Sequence, residues 1–497
     1  MTIRDGAVVG IDCGTTAVKV VVVDVDDGGL RAEARRTYPS TEPIPGAHEQ
    51  DPDDWWCAAA DALAEALSTA GCVEAVTAIG LSGHMHGLVL IGEDDRAVRP
   101  AMTWADRRST AQVERLRSSA EVFAARTSNP VVEAFTAPKL AWLAEHEPAS
   151  LQAARRLVLA KDVLRHRLTG TWATDRTDAW GTLLFDVREQ RFDPELFELC
   201  GAGSDLAPDV TGSAEVVGTL RPAIAHDLGL RSDVSVVAGA SDVSSSSLGA
   251  GVTDTGAGLI NLGTAAQVLV QRAAVREGPW FTFAAADDRS SLSMGSVYAA
   301  GLALDWLADV VLRVDGGSGL DALARTTTAG VHRPLFVPHL LGASAPRHDA
   351  SVAGALLGLR KRHGAAELAR AGLEGVAFAA ADALFRVAED DDLSAVHIGG
   401  APTRSELIAA SLAAVVPSPV LRATRDASPI GAAILAAVGI GVGELRTVAE
   451  RFVDLVEVPR PSPGASGQIA HVFEVWRRAE SIVFEVAADV MLEPPDG

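Results

Sequence analysis

The side chains of this sequence that are best suited to chemistry stand in polar turns between strongly apolar stretches. One of them is Asp242, in the stretch 235–251, which is typical of a short buried strand ending in small residues, followed by Asp242 and then a small-residue helix start. A carboxylate in that position lies where α/β proteins open a crevice, and it is suited to accepting a proton. The simpler interpretation is that Asp242 only caps the helix by accepting hydrogen bonds from backbone N–H groups.

A second candidate is the tight polar turn that joins two apolar strand signals within 7–24. It holds Asp12, Gly14, Thr15 and Thr16, with Lys19 on the outgoing strand. Gly14 lets backbone N–H groups approach an oxyanion, the threonines add hydroxyl donors, and Asp12 suits a hydrated Mg²⁺. Lys19 could reach the same phosphate. An ordinary hairpin, with Asp and Gly selected for turn geometry, explains this turn equally well on its own.

The turn recurs in the second half of the chain. The stretch 260–269 repeats 11–20 in register, so that Gly263 and Thr264 correspond to Gly14 and Thr15, while Asn261 takes the place of Asp12. Such a repeat has to be recognised before any fold is assigned. It predicts two related α/β domains, 1–248 and 249–497, each presenting a phosphate-binding turn to a central cleft.

Two more segments carry side chains that suit a polyhydroxylated ligand. His84-Met85-His86 stands between glycines after a strand signal at 74–82, and Trp104 lies close to Asp106. Two histidines at i and i+2 on a strand face the same side, which also suits a metal, but no third ligand is near in sequence. An aromatic face stacks on the C–H groups of a sugar and a carboxylate accepts from its hydroxyls.

Composition excludes several other classes. The 497 residues exceed what one hydrophobic core usually serves, and the formal net charge of −22 argues against nucleic acid or an anionic membrane as partner. No secretion signal or spanning segment is recognisable, which predicts a cytoplasmic protein. The four cysteines lack Cys-x-x-Cys spacing, and we interpret them as reduced core thiols: Cys13, Cys57, Cys72 and Cys200.

Taken in order, these motifs resemble the FGGY family of carbohydrate kinases of the actin-like ATPase superfamily, and within it the xylulokinases. Further segments extend the resemblance over nearly the whole chain: 49–52, Trp55-Trp56, 135–139, Lys161-Asp162, 336–338, Gly354, Gly358-Leu359, 398–400 and Arg404-Ser405. The resemblance implies two related actin-like (ribonuclease-H-like) ATPase domains with a central ligand cleft, and it suggests a homodimer.

The resemblance also implies the roles of individual residues in phosphoryl transfer from ATP with Mg²⁺. Asp12 is the metal ligand, and the nucleotide contacts are Gly14, Thr15, Thr16, Lys19, Gly263, Thr264, Gly301, Asp305, Gly399 and Gly400. The sugar contacts are His84, Met85, His86, Trp104, Asp106 and Asp242. Asp242 is the general base, and an ordinary aspartate pKa suffices because a loose transition state loses the hydroxyl proton late.

The implied substrate is the terminal hydroxyl of a ketopentose, with D-xylulose preferred. Departures from the xylulokinase pattern favour weak turnover of D-xylulose and a better substrate among related pentuloses or pentitols: His84 for Gln, Ala105 and Val243 for Asn, 342–346 for Gly-Glu-Arg-Thr-Pro, and Ala353 for Lys or Arg. The chain could also be a non-catalytic sugar- or nucleotide-binding relative, or an ATPase or phosphate hydrolase. Asp12 and Asp242 argue against the first of these functions, and the sugar-wall residues argue against the second.

Overall fold

The structure, a computed structural model, describes residues 6–327 and 333–490, with side chains described to residue 487. Its strands in the first half are β1 (Ala7–Cys13), β2 (Ala17–Asp24), β3 (Leu30–Thr37), β4 (Glu49–Gln50), β5 (Val76–Gly83), β6 (Val89–Ile91), β7 (Ala101–Met102), β8 (Arg156–Val158), β9 (Thr174–Asp175), β10 (Phe185–Asp186), β11 (Arg191–Phe192), β12 (Val210–Thr211), β13 (Val216–Thr219), β14 (Ser235–Val237) and β15 (Ala240–Ser241). The helices there are α1 (Pro52–Ala70), α2 (Thr110–Leu116), α3 (Ala120–Thr127), α4 (Thr136–His146), α5 (Pro148–Ala153), α6 (Ala160–Thr169), α7 (Arg176–Trp180), α8 (Pro194–Leu199), α9 (Pro222–Leu228) and α10 (Asp242–Gly249).

The second half repeats the alternation of strands and helices. Its strands are β16 (Ala257–Leu262), β17 (Ala266–Arg272), β18 (Phe281–Ala284), β19 (Ser291–Val297), β20 (Leu335–Val337), β21 (Ala355–Leu357), β22 (Ala395–Gly399), β23 (Val420–Ala423) and β24 (Leu455–Glu457). Its helices are α11 (Gly301–Trp306, continued as a π-helical turn over Leu307–Leu312), α12 (Gly316–Ala324), α13 (Ala365–Ala388), α14 (Glu406–Val415), α15 (Ala427–Gly439), α16 (Leu445–Phe452) and α17 (Pro463–Val490).

Two seven-stranded mixed sheets organise these elements. The first has the order β13-β14-β5-β1-β2-β3, with β15 also paired to β5, and the second has the order β18-β19-β17-β16-β22-β23-β24. In both sheets an antiparallel hairpin, β1–β2 or β16–β17, lies beside a parallel strand, β5 or β22. The same local topology therefore occurs twice, which confirms the predicted α/β class with two related units.

The central strands are buried on both faces. Every residue of β1 is buried, which explains why its sequence is apolar except for Asp12 near its end, instead of alternating. One face of the first sheet packs against α1, and the other packs against α15, although α15 belongs to the second half of the sequence. This contact crosses the predicted division at 248/249, which stays a prediction.

Two expectations about local structure need correction. All four cysteines are free thiols, but only Cys13 and Cys200 are buried, since Cys57 is exposed and Cys72 is half-buried. The strand predicted at 74–82 is β5, and it ends at Gly83, so the histidines follow it in a loop. Within the described residues, no helix has the length and apolar character needed to span a bilayer.

Candidate active site

The carboxyl ends of three neighbouring strands bring the candidate residues together. In the parallel register Asp12 of β1 lies opposite Ser82 of β5, and Ser82 lies opposite Ala240 of β15. The residues that leave these strands begin the first turn, the histidine loop and helix α10. Because the carboxyl ends of strands open onto a crevice, this edge is the candidate active site.

Asp242 is the first residue of α10, and it is not the residue that caps this helix. The N-cap is Ser241, whose hydroxyl accepts a hydrogen bond from the backbone N–H of Ser244 at 3.4 Å. The helix-cap interpretation of Asp242 is therefore wrong. Its Oδ1 accepts from the N–H of Val243 at 2.9 Å, and the N–H of Met85 also donates to this carboxylate.

The environment of Asp242 changes its acidity. Burial raises the pKa of Asp242 to about 7, and the negative charge of Asp12 acts in the same direction, against the hydrogen bonds from backbone N–H groups. The expectation of an ordinary aspartate is therefore corrected. A base with a pKa near neutrality is well matched to proton transfer at physiological pH.

Asp12 has the environment of a metal ligand. Its Oδ1 is buried and, among the described residues, has no hydrogen-bond partner, and burial raises the pKa of Asp12 to about 6 while Lys19 opposes the rise. The described residues contain no cluster of three or more acidic, histidine or cysteine side chains that would hold a metal. Mg²⁺ in phosphate sites is commonly held by one or two carboxylates, waters and the phosphates themselves, so the Asp12 oxygen fits this ion.

Lys19 is positioned differently from the expectation. Its ammonium lies 2.7 Å from Oδ2 of Asp426, which precedes α15, and 4.0 Å from Oδ2 of Asp12. The charge of Lys19 therefore joins the first turn to the second half of the chain. A direct contact with phosphate stays a prediction.

The first turn is held by side chains from three other segments. The indole N–H of Trp104 donates to Oγ1 of Thr15 at 2.9 Å, and the amide of Gln50 donates to the Thr15 carbonyl at 2.7 Å. The hydroxyl of Tyr38 donates to the carbonyl of Gly14. Because Oγ1 of Thr15 accepts from the indole, its own hydrogen is left to donate toward the cleft. Thr16, the next residue, is exposed.

The second turn is exposed at Gly263 and Thr264 and packs on the start of α11. The N–H groups of Gly301 and Leu302 donate to the carbonyls of Gly263 and Thr264, at 2.9 and 3.1 Å. A Cβ at Gly301 would lie 2.5 Å from the Gly263 oxygen, so only glycine allows this close approach. Asp305 lies further along α11 and is exposed.

Gly399 and Gly400 end β22 beside the same turn. Gly399 pairs with Asn261 of β16, and Gly400 has a φ of +88°. A Cβ at Gly400 would lie 1.9 Å from the carbonyl oxygen of Leu262. The structure therefore brings these glycines, Gly301 and the second turn together, and their contact with the nucleotide stays a prediction.

Met85 and His86 follow β5 in the loop whose Met85 N–H donates to Asp242, and the Met85 side chain is buried in an apolar cluster with Val243. Nδ1 of His86 lies 2.6 Å from the carbonyl oxygen of Gly181, and its ring packs on Phe135 and Phe283 with centroids 4.5 and 5.5 Å away. Burial lowers the pKa of His86 to about 3, so the ring is neutral. Nδ1 must then be the donor, which makes Nε2 an acceptor.

His84 does not share this environment. It is buried against Trp55, with ring centroids 5.3 Å apart, and neither ring nitrogen has a hydrogen-bond partner among the described residues. Burial lowers the pKa of His84 to about 4. The expectation that both histidines face one side of a strand is wrong, because they lie in a loop and pack against different aromatic rings. A sugar contact of His84 stays a prediction.

Asp106 also departs from its predicted role. It is fully buried, Arg108 donates to both of its oxygens, and the backbone N–H of His48 donates to Oδ2 at 2.9 Å. Its hydrogen-bonding capacity is therefore used within the protein, and we assign Asp106 to holding the segment that carries Trp104. Trp104 itself is 46 % exposed and remains available to a ligand.

Some residues of this site were missed in the sequence. Tyr38 and Asp426 contact the first turn and Lys19, but they are an ordinary tyrosine and a helix-start aspartate with no local signal for that role. Gln50 was visible as part of a family motif, without any indication that it binds the Thr15 carbonyl. Ser241 could have been identified as the cap, since serine is a preferred N-cap residue whose hydroxyl accepts from the backbone N–H three residues later, here that of Ser244.

Comparison with known proteins places the chain among sugar kinases. The model of the FGGY family of carbohydrate kinases, N-terminal domain, matches residues 7–249, and its C-terminal domain model matches 258–440. The chain is 32% identical to a xylulose kinase of Bacillus subtilis over 455 residues, covering 90% of this chain and 91% of that protein.

Solved structures agree with this placement. A xyloylose kinase from Brucella ovis superposes with a TM-score of 0.88 at 29% identity, covering 96% of this chain and 99% of that one. A gluconate kinase from Lactobacillus acidophilus gives a TM-score of 0.88 at 25% identity, covering 97% and 98%.

The repeated sheet and the two similar turns, with the family models that match both halves, thus define a two-domain α/β phosphotransferase of the actin-like ATPase fold. More particularly, the chain belongs to the FGGY family of carbohydrate kinases. It is an ATP-dependent sugar kinase.

Proposed function

We propose that this kinase transfers the γ-phosphoryl group of Mg²⁺-ATP to the terminal hydroxyl of a ketopentose, with D-xylulose as the first candidate. The observation that carries the proposal is the position of Asp242, a partly buried carboxylate with a raised pKa at the strand edge where the first turn and the histidine loop meet. The sequence relatives described as xylulose kinases support the choice of sugar.

In the proposed mechanism, Asp242 accepts the proton of the attacking hydroxyl. The first and second turns bind the ATP phosphates through backbone N–H groups and the hydroxyls of Thr15 and Thr264, and Gly399-Gly400 borders the adenosine. Asp12 would hold Mg²⁺, which, when bound, neutralises phosphate charge and orients the phosphates. Phosphoryl transfer asks the protein mainly for positioning and charge stabilisation, and these groups supply both.

The sugar is proposed to lie between His86, Met85 and Trp104. Nε2 of His86 accepts a hydrogen bond from a sugar hydroxyl, and the exposed indole of Trp104 packs on C–H groups. Domain closure over the bound sugar would exclude water and limit ATP hydrolysis. We further propose that the functional units divide at 248/249 and that the enzyme is a cytoplasmic homodimer.

The test is ADP release measured with D-xylulose, D-ribulose, xylitol, ribitol and D-gluconate. Stimulation by D-xylulose or D-ribulose supports the proposal, and stimulation by xylitol or ribitol alone favours the second candidate given below. A preference for D-gluconate would mean that the substrate is an aldonic acid instead of a ketopentose. ATP hydrolysis that no sugar accelerates would indicate an ATPase. The absence of turnover together with a nucleotide-induced thermal shift would indicate a non-catalytic relative.

A second candidate is a related pentulose or pentitol, and the surroundings of Val243 favour it. Val243 is buried in an apolar cluster with Met85, so this position offers no hydrogen bond to a sugar hydroxyl. A hydroxyl left without its partner costs about 1–3 kcal/mol, roughly a five- to hundredfold loss. Unmodified protein should therefore turn over D-xylulose weakly.

Restoring the family residues tests this second candidate directly. The double substitution His84→Gln with Val243→Asn should raise kcat/KM for D-xylulose, because polar sites discriminate through such pairings. His84→Gln alone serves as the comparison, since it leaves the apolar position unchanged. Ordinary efficiency and preference of the unmodified enzyme for D-xylulose would show that the departures are neutral.

A further inference from the structure

A fully buried group of charged side chains lies behind the candidate active site. The Lys161 cluster consists of Lys161, Asp162, Arg165, Asp175 and Asp178. The ammonium of Lys161 lies 3.0, 2.6 and 2.7 Å from carboxylate oxygens of Asp162, Asp175 and Asp178, and Arg165 lies 3.0 Å from the same oxygen of Asp162. These side chains are at most 1 % exposed.

The members of the cluster are held by short contacts between opposite charges in the interior. Burial raises the pKa of Asp178 well above its ordinary value, while the Lys161 ammonium acts in the opposite direction. Removing one partner of such a buried group leaves a charge uncompensated, so the members hold one another in a fixed arrangement.

Thr177 connects the Lys161 cluster to the candidate base. Its hydroxyl donates to Oδ2 of Asp175 at 2.6 Å, so its oxygen is left to accept, and the backbone N–H of Ser241 donates to it at 2.7 Å. All three groups are buried. Ser241 caps α10 and directly precedes Asp242, so this chain of hydrogen bonds fixes the peptide that leads into the base.

We propose that Thr177 is a positioning residue for Asp242. Thr177 holds the start of α10 through Ser241, while Asp175 and Lys161 fix the direction of the Thr177 hydroxyl. The proposal rests on the proposed role of Asp242 as general base. A base is effective only when it is aligned with the attacking hydroxyl, and displacement by about 1 Å can cost on the order of a hundredfold in rate.

Thr177→Val tests the proposal because it keeps the shape of the side chain and removes both hydrogen bonds. We expect kcat to fall about ten- to hundredfold, with the KM values for ATP and for the best sugar of the panel within about threefold of the unmodified enzyme. Thr177→Ser keeps the hydroxyl and should restore kcat to within about threefold. Each variant is assayed well below its own melting temperature.

Ser213→Ala is the matched control. The Ser213 hydroxyl also donates to Oδ2 of Asp175, at 3.2 Å, but Ser213 has no hydrogen bond to Ser241. The control should lose stability without losing kcat. If Thr177→Val keeps its kcat, or if Thr177→Ser is as impaired as Thr177→Val, the positioning role is wrong. If Asp242→Asn itself keeps its kcat, the proposed base is wrong, so the two failures are distinguishable.

Discussion

At the scale of single residues, the candidate site contains two carboxylates that share one requirement. In the proposed mechanism Asp242 and Asp12 both have to be ionised, the first to accept a proton and the second to bind a cation, yet burial raises the pKa of both. The negative charge of each also disfavours ionisation of the other. A divalent ion near Asp12 would therefore lower both pKa values and favour the ionised base.

The first prediction concerns the base itself. Asp242→Asn should lower kcat by roughly 10²–10⁴-fold, about 3–5 kcal/mol of barrier, because positioned proton transfer is lost while the shape is kept. Steady-state kinetics and calorimetric binding of ATP and sugar check it, with binding nearly unchanged. Asp233→Asn, at an exposed residue paired with Arg231, is the control. Retention of most of the kcat would contradict the assignment.

The second prediction is a pH dependence. The pKa of Asp242 is raised to about 7, so the free enzyme carries a proton on its base below that pH and cannot accept another. The value of kcat/KM should therefore fall as the pH drops through about 7 and level off above it. His84 and His86, with pKa values lowered to about 4 and 3, do not titrate in this range, whereas Asp12, with its pKa raised to about 6, does and should steepen the fall below that pH. A profile that is flat down to pH 5 would contradict the prediction.

The sequence was informative about single residues only where they stand at or beside the ends of apolar strands. Asp12, Thr15 and Asp242 were recognised as candidates because a polar residue at such a place has a local signal. The role of Asp106 could not be inferred, because its partner His48 is remote in sequence and lies near it only after folding. Burial of His84 against Trp55 escaped prediction for the same reason.

At the scale of elements, the two turns have the same sequence pattern but different supports. Side chains such as Trp104 and Gln50 hold the first, whereas the start of α11 holds the second. The repeat made the hairpins predictable, since an apolar run, a Gly-Thr turn and a second apolar run are local features. The packing of α11 on the second turn depends on how distant segments meet, so the pattern could not reveal it.

The third prediction concerns the second turn. Gly301→Ala should raise the KM for ATP about tenfold and leave the KM for sugar unchanged, because a Cβ only 2.5 Å from the Gly263 oxygen has to displace the turn. Thr264→Val should weaken ATP binding in the same direction without loss of fold. Gly317→Ala is the control, since its Cβ would have no neighbour within 4 Å. Equal ATP kinetics in Gly301→Ala and Gly317→Ala would contradict the prediction.

At the scale of the whole molecule, the two halves of the sequence share one core region. Helix α15 packs on the first sheet so closely that Cβ atoms at Gly10 and Gly80 would each lie 1.9 Å from its backbone oxygens, on Pro429 and Ala432. The repeat predicted two related units and the sheets confirm them. The repeat did not predict that a helix of the second half would cover the first sheet, because the sequence of an apolar helix does not indicate which surface the helix packs on.

The fourth prediction measures that contact. Gly80→Ala should lower the free energy of unfolding by about 1–3 kcal/mol or more, because the new methyl group meets a backbone carbonyl that cannot rotate away. Chemical denaturation and calorimetry check the change. In contrast, Gly467→Ala in α17, where a Cβ would have no neighbour within 4 Å, should be neutral or slightly stabilising. Equal stability of the two variants would show that the backbone of α15 shifts to accommodate the new methyl group at little cost in free energy.

The covering of the first sheet by α15 has a consequence for synthesis on the ribosome. Strand β1 leaves the exit tunnel roughly 400 residues before α15, which at about 5–20 residues per second is a delay on the order of 20–80 s. During that interval Val8, Val21, Val23 and Ala78 lack the helix that buries them in the finished molecule. A first half that folds during this interval therefore exposes an apolar sheet face to solvent until translation nears its end.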